Sequence, residues 1–80
     1  MDPRAVLDEA ARRRVACQVM PRGGQWSAAW FVRVDRAGVI LNAPELPLRG
    51  GEDLTVWFTL DEAPYRFDAS VLRAGVPVPD

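Results

Sequence analysis

Between residues 54 and 60 apolar and polar side chains alternate without a break: Leu54, Val56, Phe58 and Leu60 fall on one side, Thr55, Trp57 and Thr59 on the other. A period of two is the pattern of a strand with one buried face. Such a strand needs hydrogen-bonding neighbours and an apolar cover for its inner side. The chain must therefore build a mostly β domain around one core.

The neighbours are legible. Val15, Cys17 and Val19 alternate with Ala16, Gln18 and Met20. After Pro21, Gly23 and Gly24 a second strand places Trp30, Val32 and Val34 on one face and Ala29, Phe31 and Arg33 on the other. Trp30 is accordingly expected in the core. A tight connection from Asp35 to Gly38 leads into Val39, Ile40 and Leu41. Residues 42–53 hold Pro44, Pro47, Gly50 and Gly51, too many breakers for regular structure, and read as a surface loop. Tyr65, Phe67, Ala69 and Val71 form a fifth strand that pairs with the fourth as a hairpin. Ahead of the strands, Asp2 and Pro3 start a short helix whose apolar stripe pairs Val6 with Ala10 and Leu7 with Ala11. The valine and proline alternation of residues 75–80 is expected to stop the sheet.

With 80 residues there is room for one core, so the whole of 1–80 is read as a single domain. Five short strands and one short N-terminal helix point to a small antiparallel β-barrel or sandwich. The longest apolar runs are too short to cross a bilayer and the first residues do not form a leader, which makes a cytoplasmic location the expectation. Cys17 is the only cysteine, so neither an internal disulfide nor a multi-cysteine metal site exists.

Catalysis is not expected. The chain has no histidine and no lysine, its one cysteine has no evident base, and no phosphate-cradling glycine motif precedes a helix. The carboxylate pairs Asp8 with Glu9, Glu52 with Asp53 and Asp61 with Glu62 fall in a helix or turns and read as solvated surface. They form neither a zinc set nor a calcium loop, so no metal and no cofactor are expected. All ten basic residues are arginine, against eleven acidic residues. A near-zero net charge gives no general attraction to nucleic acid, and any anion site must be local.

Three arginines, Arg12, Arg13 and Arg14, stand immediately before the first strand, and a turn ending in Gly38 follows the second. In this order, over residues 11–74, the chain resembles a PilZ domain, a small split β-barrel module whose members often sense cyclic di-GMP. The resemblance implies an arginine pair gripping guanine edges or phosphate, and a barrel group of Asp or Asn, any residue, Ser, two of any, then Gly. Here Gly38 matches, Arg33 stands at the acidic or amide position and Asp35 at the serine. The family's four-residue arginine spacing meets Ala16, Cys17 and Gln18 instead of a second arginine. An arginine cannot accept from guanine's donors, and Asp35 brings negative charge toward a phosphodiester. The family also continues with a further strand and often a helix beyond residues 71–73.

What the resemblance implies is therefore a noncanonical regulatory or interaction module in cyclic di-GMP-related signalling. Its partner would be another protein, a neighbouring domain or a second copy of itself, and its own nucleotide binding would be weak. Two rivals are a cyclic di-GMP receptor that uses Arg12, Arg13 and Arg14, and a small-barrel binder of nucleic acid with Trp26 and Trp30 stacking bases beside Arg22 and Arg33. The three arginines would also complement the helix dipole and stay solvated. Arg33 and Asp35, two apart on one strand, project from the same face and could form a surface ion pair. Trp57, opposite the apolar face, is either a partner contact, a cover for one end of the barrel, or packed under the helix.

Overall fold

The computed structural model describes residues 2–72 and 74, and residues 75–80, expected to end the sheet, lie outside that range. One helix precedes five strands: α1 (Pro3–Arg12), β1 (Ala16–Pro21), β2 (Ser27–Val34), β3 (Val39–Asn42), β4 (Asp53–Leu60) and β5 (Ala63–Ser70). Neighbouring strands are all antiparallel, in the order β3-β2-β1-β4-β5. No helix among the described residues is long and apolar enough to cross a membrane.

Both helix ends follow from local chemistry. Asp2 caps the start, its Oδ1 accepting from the Arg4 backbone N–H at 3.0 Å. At the other end the Val15 N–H donates to the Ala10 carbonyl and the Arg14 N–H to the Ala11 carbonyl. Those two bonds make a Schellman cap, with Arg14 at φ 49° in the left-handed position that glycine usually fills. Val6, Ala10 and Ala11 are buried where α1 packs on β2. The small alanines let the helix approach the sheet closely.

The core lies on the face of the sheet that α1 covers. Cys17 and Val19 of β1, Ala29 and Phe31 of β2, and Leu54, Val56, Phe58 and Leu60 of β4 fill it. Phe31 and Phe58 meet edge to face with ring centroids 4.9 Å apart, and Phe58 stacks on Tyr65 at 5.3 Å. The alternation along β4 thus sorts as the sequence requires.

Along β2 the expected sorting fails. Phe31 pairs with Leu41 but Arg33 pairs with Ile40, so Val32 is an extra residue in the ladder, a β-bulge. The bulge reverses the alternation beyond it. Phe31 is fully buried while Arg33 is exposed, so the two do not share a face, and Trp30 stands on the side opposite Phe31, 36% exposed rather than in the core.

The sheet is open: among the described residues β3 and β5 are its two edges and do not pair. Residues 43–52 form the irregular loop between β3 and β4, and its Ala43, Leu46 and Leu48 pack against the core. Leu72, just past β5, comes beside that loop and the β2–β3 hairpin: a Cβ on Gly50 would lie 3.2 Å from its carbonyl oxygen and one on Gly38 4.0 Å from its Cδ1. The sheet curls, and loop side chains rather than strand pairing fill the gap between its ends.

Candidate interaction face

Side chains that point away from the core form the second face of the sheet. Gln18 stands opposite Ala28 on β2 and opposite Trp57 on β4, and Trp57 in turn stands opposite Arg66 on β5. One row therefore reads Ala28, Gln18, Trp57, Arg66 across four strands. The next row holds Trp30 opposite Ala16. Strand spacing and rise place the Trp30 and Trp57 Cα atoms roughly 12 Å apart, with small or polar residues between them.

Trp26, in the loop before β2, joins Gln18, Trp57 and Arg66 around a shallow recess. Trp26, Trp30 and Trp57 are 44%, 36% and 40% exposed, although tryptophan carries the largest apolar surface of any residue. All three tryptophans of the chain thus lie on the surface. Trp57 lies on the face opposite the one α1 covers, so it does not pack under the helix. A bordering row of polar groups is internally bonded: Thr55 donates to Asp68 at 2.9 Å and Ser70 to Asp53 at 3.0 Å. Arg66 has no hydrogen bond or ion pair among the described residues.

The residues read from the sequence as a nucleotide grip are placed differently. Arg12, in the last helical turn, donates to Glu9 from Nε at 3.1 Å and Nη2 at 2.6 Å. That hydrogen bond holds the Glu9 carboxyl below the ordinary carboxylate range, and the Arg12 and Arg13 charges add to it. Arg13 reaches across to Asp61 in the β4–β5 turn at 3.0 Å. Arg14 is fixed by the helix cap. Arg12 and Arg13 share Glu9, Arg13 from 3.7 Å, and both are engaged by carboxylates of the chain, whereas among the described residues Arg14 is held only through its backbone.

Asp35 does not pair with Arg33, and no ion pair joins them among the described residues. Its Oδ1 accepts instead from the backbone N–H of Ala37 at 2.8 Å and of Gly38 at 3.1 Å, closing the β2–β3 hairpin. Gly38 has φ 151°, a conformation that side chains oppose, so the motif glycine has a structural reason to be there. The backbone carbonyl of Asp35 accepts from Arg4 Nη2 at 3.4 Å, at the start of α1, whereas Arg12 and Arg13 lie at its end. From residue 4 to residue 12 a helix advances roughly 12 Å, so the two halves of the expected grip meet different ends of α1.

Sequence reasoning missed Trp30 as part of the exposed face. In the structure the inward-facing Ala29, Phe31 and Val34 step by two and then by three, the spacing a one-residue bulge produces, and alternation alone does not mark where a bulge falls. Among the described residues no group of three or more His, Cys, Asp or Glu side chains could hold a metal. Comparison of the chain with known protein families, with curated proteins and with solved structures returned no match.

Proposed function

We propose that this chain is a noncanonical PilZ-like module, a split half-barrel that acts through protein–protein contact in cyclic di-GMP-related signalling, without strong nucleotide binding of its own. The contact surface is the outer face of the sheet, and the observation that carries this reading is the exposure of Trp26, Trp30 and Trp57. Tryptophan is favoured where binding energy concentrates, and apolar groups clustered on a surface are a common mark of an interaction site. Gln18 and Arg66 add polar groups that orient a partner.

The weak nucleotide binding rests on the engagement of the motif residues. Arg12 and Arg13 are held by Glu9 and Asp61, and the Asp35 carboxylate is held by its own hairpin. A nucleotide would have to displace these bonds and meet the Asp35 charge. Nucleic acid is disfavoured because Asp53 and Asp68 lie on the same outer face as the indoles.

The deciding experiment pairs two measurements on the full chain. Calorimetric titration with cyclic di-GMP is expected to give no heat in the micromolar range. Photo-crosslinking groups placed at Gln18 and Ala28 in native cells are expected to capture a protein, and capture should vanish with Trp57→Ala. Micromolar nucleotide binding that disappears when Arg12, Arg13 and Arg14 become Ala would overturn the proposal.

A further inference from the structure

We infer that two copies of this chain pair edge to edge through β5, antiparallel about Phe67, so that Arg66 of each copy stands opposite Asp68 of the other. This contact borders the tryptophan face and shares Arg66 with it, but does not use the indoles and rests on different observations.

β5 offers the longer edge, eight residues against four for β3. Among the named elements its extensive contacts are with β4 alone, and α1 lies over β2. Tyr65, Phe67 and Ala69 on the inner side of β5 are only half-buried, in contrast to the buried inner residues of β4. The open edge leaves the outward backbone groups of β5 without a strand partner among the described residues. Such an edge is a template for another strand.

Backbone geometry limits how a second β5 can join. The two-residue turn at Asp61 and Glu62, both with positive φ, makes Leu60 and Ala63 a hydrogen-bonded pair. Counting from there, Tyr65, Phe67 and Ala69 turn their N–H and C=O toward β4. The bond from the Val71 N–H to the Glu52 carbonyl at 2.8 Å continues that series. Pro64, Arg66, Asp68 and Ser70 therefore turn their backbone groups outward. Pro64 has no N–H to offer, which suits an edge strand. Only registers that set these even-numbered positions against one another form a ladder, and these keep both cores on the same side of the joined sheet.

Charge then selects among the remaining registers. Centring the pair on Arg66 sets Arg66 against its own copy, and centring it on Asp68 sets two carboxylates together, so both place like charges directly opposite. Centring it on Phe67 sets Arg66 against Asp68 twice over, Phe67 against Phe67 on the inner side, and Ser70 against Pro64. Arg66 is unpaired among the described residues, and Asp68 uses Oδ1 toward Thr55. Charges of one sign would blunt this edge against every copy. The alternating signs of Arg66 and Asp68 reject the neighbouring registers and accept one.

Sedimentation of the full chain over a concentration series tests this, with circular dichroism to verify the fold of each variant. Wild type is expected to dimerise. Arg66→Asp and Asp68→Arg should each raise the dissociation constant by on the order of tenfold or more, because each turns two attractive pairs repulsive. An equimolar mixture of the two folded variants should restore association, since the aspartate introduced at 66 then faces the arginine introduced at 68, and the native pair faces across the other half. Trp57→Ala should leave the dimer intact. A wild type that stays monomeric, a mixture that does not reassociate, or a dimer lost with Trp57→Ala but kept with Arg66→Asp would each overturn the edge pairing. The last result would instead assign self-association to the tryptophan face. Retained edge pairing with no crosslinked partner at Gln18 or Ala28 would reject the tryptophan-face reading alone.

Discussion

Phe31 of β2 and Phe58 of β4 meet edge to face across the core side of β1, with ring centroids 4.9 Å apart. The two strands are not neighbours; β1 separates them. The contact therefore ties the two halves of the sheet together through side chains, over a strand whose core residues Cys17 and Val19 are smaller.

Phe58 is the residue on which the core depends most, because it also stacks on Tyr65 and meets Phe67 at 6.4 Å. Phe58→Ala is expected to cost about 3–5 kcal/mol. A chain of this length typically holds about 4–12 kcal/mol in all, so the variant should lose a large share of its stability, read as a strongly lowered midpoint in a urea titration followed by near-ultraviolet circular dichroism. Phe58→Leu, which keeps most of the volume, should retain the fold with a lowered midpoint.

Burial pushes the Cys17 thiol up to about 11 from an ordinary value of 9.0. The uncharged form is the one the fold accommodates. Because the folded value is the higher one, the associated stability is fully present below about pH 9 and is lost as pH rises from there through about 11. Urea midpoints measured across that window should fall for wild type more steeply than for Cys17→Ala. At neutral pH the thiol should react with a disulfide reagent only as fast as the chain opens, since Cys17 is 4% exposed.

Three non-glycine residues, Arg14, Asp61 and Glu62, hold left-handed backbone, and at two of these positions glycine is the favoured residue. Arg14 at the helix cap has φ 49° and Glu62 in the β4–β5 turn has φ 68°. Arg14→Gly and Glu62→Gly are each expected to stabilise the fold by about 0.5–1 kcal/mol, relief of backbone strain outweighing the added freedom of the unfolded chain. Thermal denaturation checks both. A loss of stability in Arg14→Gly would mean that the arginine side chain holds more than its backbone position implies.

Trp57→Ala is expected to change stability by no more than about 1.5 kcal/mol, because the indole is 40% exposed on the outer face. Its fluorescence should be quenched by acrylamide in the native state, together with that of Trp26 and Trp30. A native spectrum shielded from quencher would count against an open face. In the presence of a bound partner the same quenching should fall.

Strand existence, strand order along the chain and the buried side of β4 were legible because each is a local property, set by a two-residue period and by Gly and Pro at the breaks. The same holds for the Asp2 cap and the hairpin at Asp35 and Gly38. The roles of Arg12 and Arg13 were not legible, because Arg13 depends on Asp61, 48 positions away. Their clustering in sequence suggested a shared grip on a ligand, whereas the helix end turns both toward Glu9 and Arg13 also toward Asp61.

By itself, then, the sequence determined a mostly β chain with a short capped helix, since alternation and turn chemistry act over a few residues. Tertiary structure alone decided that the sheet stays open among the described residues, that a bulge at Val32 lets Phe31 and Val34 both face the core while Trp30 stands outside, and that Trp26, Trp30 and Trp57 share one surface. The physical reason is register. Pairing between strands distant in the chain sets which residues stand opposite, and one extra residue in a ladder reverses every face beyond it.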